Sequence, residues 1–95
     1  MCIRDRLEEI VGAVGDQIDV ILDSGIQRGS HVLKALSLGA KAVGGGRFYL
    51  YALAAAGGQG VERALQIMHE EIERDMRLMG VSSIQELSRD NLRFR

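Results

Sequence analysis

The sequence predicts an α/β fold built around parallel strands, and three features carry that expectation. Residues 18–22, Ile-Asp-Val-Ile-Leu, are apolar with one interruption, as in a parallel strand covered on both faces. A helical stretch separates them from a second apolar run at 40–43. A strand reached through a crossover helix lies parallel to the first, in a right-handed unit. A long amphipathic stretch at 59–78 then supplies a helix with one face to bury.

The elements follow in order. Leu7, Ile10, Val11 and Val14 recur at helical spacing, and Gly15-Asp16 ends that short helix just before the first strand. Residues 23–29 form a loop with two glycines. Ser30 is placed to cap the next helix by accepting from free first-turn amides, and the run 31–38 stops at Gly39, which suits the left-handed position after a helix. Residues 44–47, Gly-Gly-Gly-Arg, make the loop after the second strand. Residues 48–56 then read as a short apolar helix stopped by Gly57-Gly58. The long helix carries Val61, Ala64, Leu65, Met68, Ile72, Met76 and Met79 on one stripe, with Glu70 and Arg74, and Glu73 and Arg77, four apart on the solvated side. Gly80 ends it, Ser82 or Ser83 caps a last turn through Leu87, and residues 88–95 form a polar tail without a clear period. Two strands cannot cover both edges of their own sheet, so the chain reads as part of a larger fold.

Composition narrows the function. At 95 residues with 46% apolar and 26% charged side chains, the chain is globular in composition and bounded to one small domain. Twelve basic and thirteen acidic residues leave a net charge of −1, which gives no footprint for nucleic acid. Cys2 is the sole cysteine, so an internal disulfide and a four-thiolate zinc site are excluded; a reducing, cytoplasmic setting is the expectation. No apolar run reaches the roughly 18 residues of a membrane span, and no apolar core follows the charges of the first six residues as in a signal peptide.

Chemistry points to the two glycine-bearing loops, 23–29 and 44–47, each at the C-terminal end of a parallel strand, where α/β folds place ligands. Glycines let backbone amides approach an anion, the helix that follows the second loop aims its positive end there, and Arg47 adds charge. Phosphate is the natural ligand. Glycines also end strands and helices without binding anything, but two such loops with an arginine favour phosphate. The order of elements reproduces the phosphate end of an eight-stranded α/β barrel, built from the loops after its last two strands.

Several stretches also carry a family resemblance: Asp23-Ser24-Gly25-Ile26-Gln27-Arg28-Gly29, residues 32–40, Gly46-Arg47, residues 49–54, Gly60-Val61-Glu62 and the ending Leu87-Ser88-Arg89-Asp90-Asn91-Leu92. Together they resemble the C-terminal signature of the FMN-dependent α-hydroxy-acid dehydrogenases and oxidases, the group of the flavin-type L-lactate dehydrogenases and glycolate oxidase. The likeness runs over 7–95 and leaves 1–6 unmatched, as a fragment boundary or a fusion scar would be. It implies a C-terminal fragment of a (β/α)8 TIM barrel, with 18–22 and 40–43 as the seventh and eighth strands. It also implies FMN as cofactor, held by Asp23, Ser24, Gly25, Ile26, Gln27, Gly46 and Arg47. Two positions depart from the family pattern. Ser24 stands where Gly is usual, which is tolerable while its amide still donates. Gln27 stands where Arg is frequent, replacing a charged phosphate contact with a neutral one and leaving more to Arg47.

By the same resemblance, the parent oxidises an L-2-hydroxy acid to the 2-oxo acid, with hydride passing to FMN. It is a homo-oligomer in the cytoplasm or peripheral to the inner membrane. The family's catalytic His and its substrate-carboxylate Arg belong to a His-Gly-Gly-Arg segment that this sequence lacks, so the chain alone is expected to be inactive. His31 occupies a helix start where the family has Asp and reads as a partly solvated helix-end residue. His69, among Glu70, Glu71 and Glu73, reads as part of a solvated face, not a metal site. Tyr49, Tyr51 and the methionines at 68, 76 and 79 read as packing residues. Two rivals remain at this point. One is another FMN or phosphate-binding barrel, such as the type 2 isopentenyl diphosphate isomerases, against which the ending 88–91 argues. The other is a free-standing helical interaction module.

Overall fold

A computed structural model describes residues 4–93 of the chain; Cys2, with the rest of 1–3, and the last two residues of the expected tail lie outside them. Helix α1 spans Arg4–Val14, strand β1 Ile21–Asp23, helix α2 Gly29–Ser37, strand β2 Ala42–Gly44 and helix α3 Gly46–Met79. Two short 3-10 turns follow, at Ile84–Glu86 and Arg89–Asn91. The strands pair in parallel, with Ile21 opposite Ala42, Leu22 opposite Val43 and Asp23 opposite Gly44. The crossover prediction therefore holds.

One small core joins all of these layers. Leu7 of α1, Leu22 of β1, Ile26 of the following loop, Val32 and Ala35 of α2, and Ala40 are buried together, with Met68 and Ile72 of α3 packed against them. Gly39 turns the chain after α2 at φ +108°, where a Cβ would fall 2.6 Å from Val11 Cγ1, so only glycine permits both the left-handed turn and the approach of α1. At the other end of the chain, Arg89 pairs with Glu8 and ties the final turn to α1.

The observed elements differ from expectation where a local rule met a tertiary one. Both strands are three residues long and lie toward the C-terminal side of the apolar runs. Leu22 is buried, whereas Ile21 on the opposite face of β1 is 66% exposed and Ile18, in the bend before the strand, is 59% exposed. Helix α2 begins at Gly29 with Arg28 as its cap residue, so Ser30 lies inside the helix and does not cap it. The two predicted helices after β2 are continuous in assignment. The break between them survives as a kink, with Ala56 (φ −150°, ψ 21°) and Gly57 (φ 63°, ψ −148°) outside helical geometry.

Side-chain pairing differs in detail as well. Glu73 and Arg77 stand 3.9 Å apart as expected, but Arg74 turns to Asp75 at 3.3 Å instead of to Glu70. Ser88 opens the last turn, accepting from Asp90 N while its own amide donates to Asn91 Oδ1 at 2.9 Å, so part of the predicted tail is ordered by a capping box. Tyr49 and Tyr51, expected in a core, are exposed along with Leu50 and Leu53. Among the described residues, neither outer edge of the two-stranded sheet is paired.

The isolated chain should accordingly self-associate, with a helical far-UV signal that decays without a cooperative melt. Sedimentation velocity combined with a thermal scan checks this; a monomer at low concentration with a sharp two-state transition contradicts it.

Candidate functional site

Because the strands are parallel and in register at Asp23 and Gly44, the loops that leave their C-terminal ends emerge side by side. Between them lies a cleft of about 360 Å³ lined by Asp23, Ser24, Gly25, Ile26, Gln27, Gly45, Gly46, Arg47, Phe48 and Leu50. All seven residues singled out from the sequence line this cleft.

The first loop is shaped by two consecutive left-handed residues, Ser24 at φ +87° and Gly25 at φ +77°. A serine there is strained where a glycine would not be. The Ser24 amide donates to Asp23 Oδ1 at 2.8 Å, so in this arrangement it is directed to its neighbour's carboxylate and not toward an incoming anion. Ile26 is buried and anchors the loop to the core. The Gln27 side chain is exposed, and its amide donates to His31 Nδ1 at 3.1 Å.

The second loop delivers the start of α3. Gly45, at φ −136° and ψ 73°, brings no side chain to cap that helix, so the first-turn amides, which have no intrahelical partner, open on the cleft. A Cβ placed on Gly46 would meet nothing within 4 Å, which shows open space beside that backbone. Arg47 is exposed and has no carboxylate partner among the described residues. A helix N-terminus and a guanidinium without an ion-pair partner among the described residues, at one cleft, can attract an anion such as phosphate.

Glu71 is the residue that sequence reasoning missed. Its neighbours Glu70 and Glu73 are exposed, yet Glu71 is only 8% exposed. Arg28 Nε and Nη2 donate to its Oε2 at 2.9 and 2.6 Å, and the Gly29 amide donates to Oε1 at 2.9 Å. The Arg28 guanidinium first, and the Gly29 amide second, hold the carboxyl down at about 2, against the desolvation that opposes them. A signal was available. Glu71 falls three residues after Met68 and beside Ile72, on the inward stripe, where a charge requires a partner. The start of α2 also lies against α3 so closely that a Cβ on Gly29 would fall 2.6 Å from Glu71 Cβ.

His69 is exposed on α3, and His31 is half-buried at the start of α2, where its ring accepts hydrogen bonds from the backbone. Among the described residues no helix is long and apolar enough to cross a membrane.

Comparison with known proteins places these loops in a family. The sequence profile of the FMN-dependent dehydrogenases matches residues 4–94. The chain belongs to that family. FMN is the cofactor of the family. Among curated relatives, the chain is 54% identical to the L-lactate dehydrogenase (cytochrome) of Saccharomyces cerevisiae over 77 residues, which are 81% of this chain and 13% of that protein. It is 44% identical to the L-lactate oxidase of Lactobacillus jensenii over 89 residues, 94% of this chain and 22% of the relative. Of solved structures, the flavin-binding domain of baker's yeast flavocytochrome b2 superposes with a TM-score of 0.81 at 49% identity, covering 88% of this chain and 23% of that one. A soluble mutant of the membrane-associated (S)-mandelate dehydrogenase from Pseudomonas putida superposes at 0.88 with 42% identity, over 94% of this chain and 25% of that one. The chain thus spans a quarter or less of the length of each of these four relatives.

Two predictions follow from the geometry, both read in a chimaeric barrel that carries residues 7–95 on the remaining strands of a relative. Ser24→Gly should raise stability by about 1 kcal/mol in urea unfolding, by removing the left-handed strain; an unchanged or lower midpoint contradicts it. Glu71→Gln should lower stability by about 1 to 2 kcal/mol at neutral pH. Because the folded-state carboxyl sits at about 2, below the ordinary 4.5, the Glu71 contribution is complete above about pH 4.5 and fades as pH falls toward 2. The difference between parent and variant should therefore shrink across that window, and a constant difference contradicts the assignment.

Proposed function

We propose that residues 7–95 form the C-terminal portion of an FMN-dependent oxidoreductase that converts L-2-hydroxy acids, lactate-like in size, to 2-oxo acids. In this reading β1 and β2 are the last two strands of a (β/α)8 barrel, and the cleft between their loops seats the phosphate of FMN. The observation that carries it is Arg47, a cation without a carboxylate partner among the described residues, beside the uncapped start of α3 in a cleft of about 360 Å³. A phosphate dianion complements such a site.

The residues present fit the group. Amides of Gly46 and Arg47 would donate to phosphate oxygens, Arg47 would neutralise them, and Gly25 would let the first loop approach closely. Asp23 is the one carboxylate lining the cleft, and its Oδ1 is occupied by the Ser24 amide. Gln27 would contribute a neutral contact where a charged one would be stronger. When bound, FMN supplies the hydride acceptor. The proton of the substrate hydroxyl and the substrate carboxylate fall to residues outside this sequence, since it holds no His-Gly-Gly-Arg segment. The lactate-like substrate is supported by the relatives named L-lactate dehydrogenase and L-lactate oxidase. The unpaired sheet edges and the exposed Leu50, Leu53 and Leu65 support a chain completed by further barrel strands and helices. The complete enzyme would be a homo-oligomer in the cytoplasm or at the inner membrane surface.

The chimaeric barrel should purify yellow with FMN bound, and Arg47→Ala should weaken the flavin by about 1.5 to 3 kcal/mol, the scale of a hydrogen bond to a charged group. Gln27→Arg should tighten it, by an amount that shrinks as salt rises. A colourless folded chimaera, or flavin affinity indifferent to Arg47, overturns the proposal. The isolated 95-residue chain should turn over neither lactate nor glycolate in a dye-reduction assay.

A further inference from the structure

Helix α2 starts from an unusual cap. Its N-cap residue is Arg28, in extended geometry at φ −134° and ψ 158°, and an arginine side chain holds only donors. The amides entering the helix must be accepted by something else. Glu71 takes the Gly29 amide, as described above. The amides of Gln27 and Arg28 both point at His31 Nδ1, at 3.1 and 3.3 Å. His31 is the third residue of the helix, the position from which a capping-box side chain reaches back to the N-cap amide.

A glutamine or glutamate usually fills that position, and its oxygen keeps accepting across the neutral range. An imidazole accepts only through a nitrogen that carries no proton. With two N–H groups directed at Nδ1, the ring must carry its single proton on Nε2. A proton added at Nδ1 would set a third donor against two donors and remove both bonds. We propose that His31 is the positioning residue of the 23–28 loop, its Nδ1 lone pair holding the Gln27 and Arg28 amides, so that acidification through the histidine range loosens the loop. The hydrogen bonds carry this by themselves; its consequence for FMN rests on the reading of the cleft as the phosphate seat.

Among the described residues, the charged groups near this end of α2 are Arg28 from the loop and Glu71, Arg74 and Asp75 along α3, with Asp23 and Arg47 across the cleft that Gln27 lines. Lys34 lies on α2 itself, and Arg89 and Asp90 on the final turn, which packs against α2. Strand β2 brings none. The other histidine among the described residues is His69, exposed on α3.

Hydrogen–deuterium exchange of the chimaeric barrel prepared without flavin, read by mass spectrometry on peptides spanning 23–30 and corrected for intrinsic rates, tests this at about pH 7.5 and about pH 5.5. With no flavin present, its outcome is independent of the FMN proposal. The Gln27 and Arg28 amides should be protected at the higher pH and lose several-fold, up to about tenfold, of that protection at the lower one. His31→Gln, which keeps an acceptor that does not titrate, should remain protected at both, and His69→Gln should behave as the parent. Equal protection at both pH values in the parent, no protection of these amides at the higher pH, or the same acid loss in His31→Gln overturns the proposal.

Discussion

The carboxylate of Glu71 is the point through which the ligand-side loops are joined to the rest of the molecule. It accepts from the Arg28 guanidinium and from the Gly29 amide, and so fixes the entry of α2 onto α3. α3 begins in the second cleft loop at Gly46 and passes under α2 some two dozen residues later. A single ion pair therefore closes a circuit that sets the 23–28 loop relative to the start of α3. The Arg28 half of it is largely exposed and screened, while the bond from the Gly29 amide to the carboxylate is buried. Glycine at position 29 is required by the same contact, because a side chain there would meet the α3 backbone.

Charge at the cleft is arranged in the opposite sense. The Glu71 carboxylate is answered by the Arg28 guanidinium and the Gly29 amide, whereas at the cleft, among the described residues, no carboxylate lies within ion-pair distance of Arg47 beside the first turn of α3. A protein interior compensates what it keeps for itself; what it leaves uncompensated at the C-terminal ends of parallel strands is available to a ligand. The proposal that this ligand is FMN draws on membership of the FMN-dependent dehydrogenase family, and the chain spans a quarter or less of each relative compared.

Much of this was legible in the sequence, and the parts that were not have physical reasons. Apolar runs at 18–22 and 40–43 with a helix between them gave the parallel pair, since handedness and crossover length leave little choice. Glycines 25 and 46 with Arg47 gave the cleft, because backbone approach and charge are local properties. Burial was misjudged at Ile18, Ile21, Tyr49 and Tyr51, since periodicity reports which face is apolar and not whether anything lies against it. Ser30 looked like a cap by residue type alone; the cap position moved two residues upstream because Glu71 and His31, one of them far along the chain, supply the acceptors. Glu71 itself looked solvated among other glutamates, and only its place on the inward stripe could have shown otherwise.

The central claim is that the loops after β1 and β2 together hold the phosphate of FMN. A crystal structure of the chimaeric barrel with flavin bound measures it directly. The account predicts phosphate oxygens within about 2.7 to 3.2 Å of the Gly46 and Arg47 amides and of the Arg47 guanidinium. A phosphate lodged elsewhere in the barrel, with this cleft filled only by solvent, would contradict it.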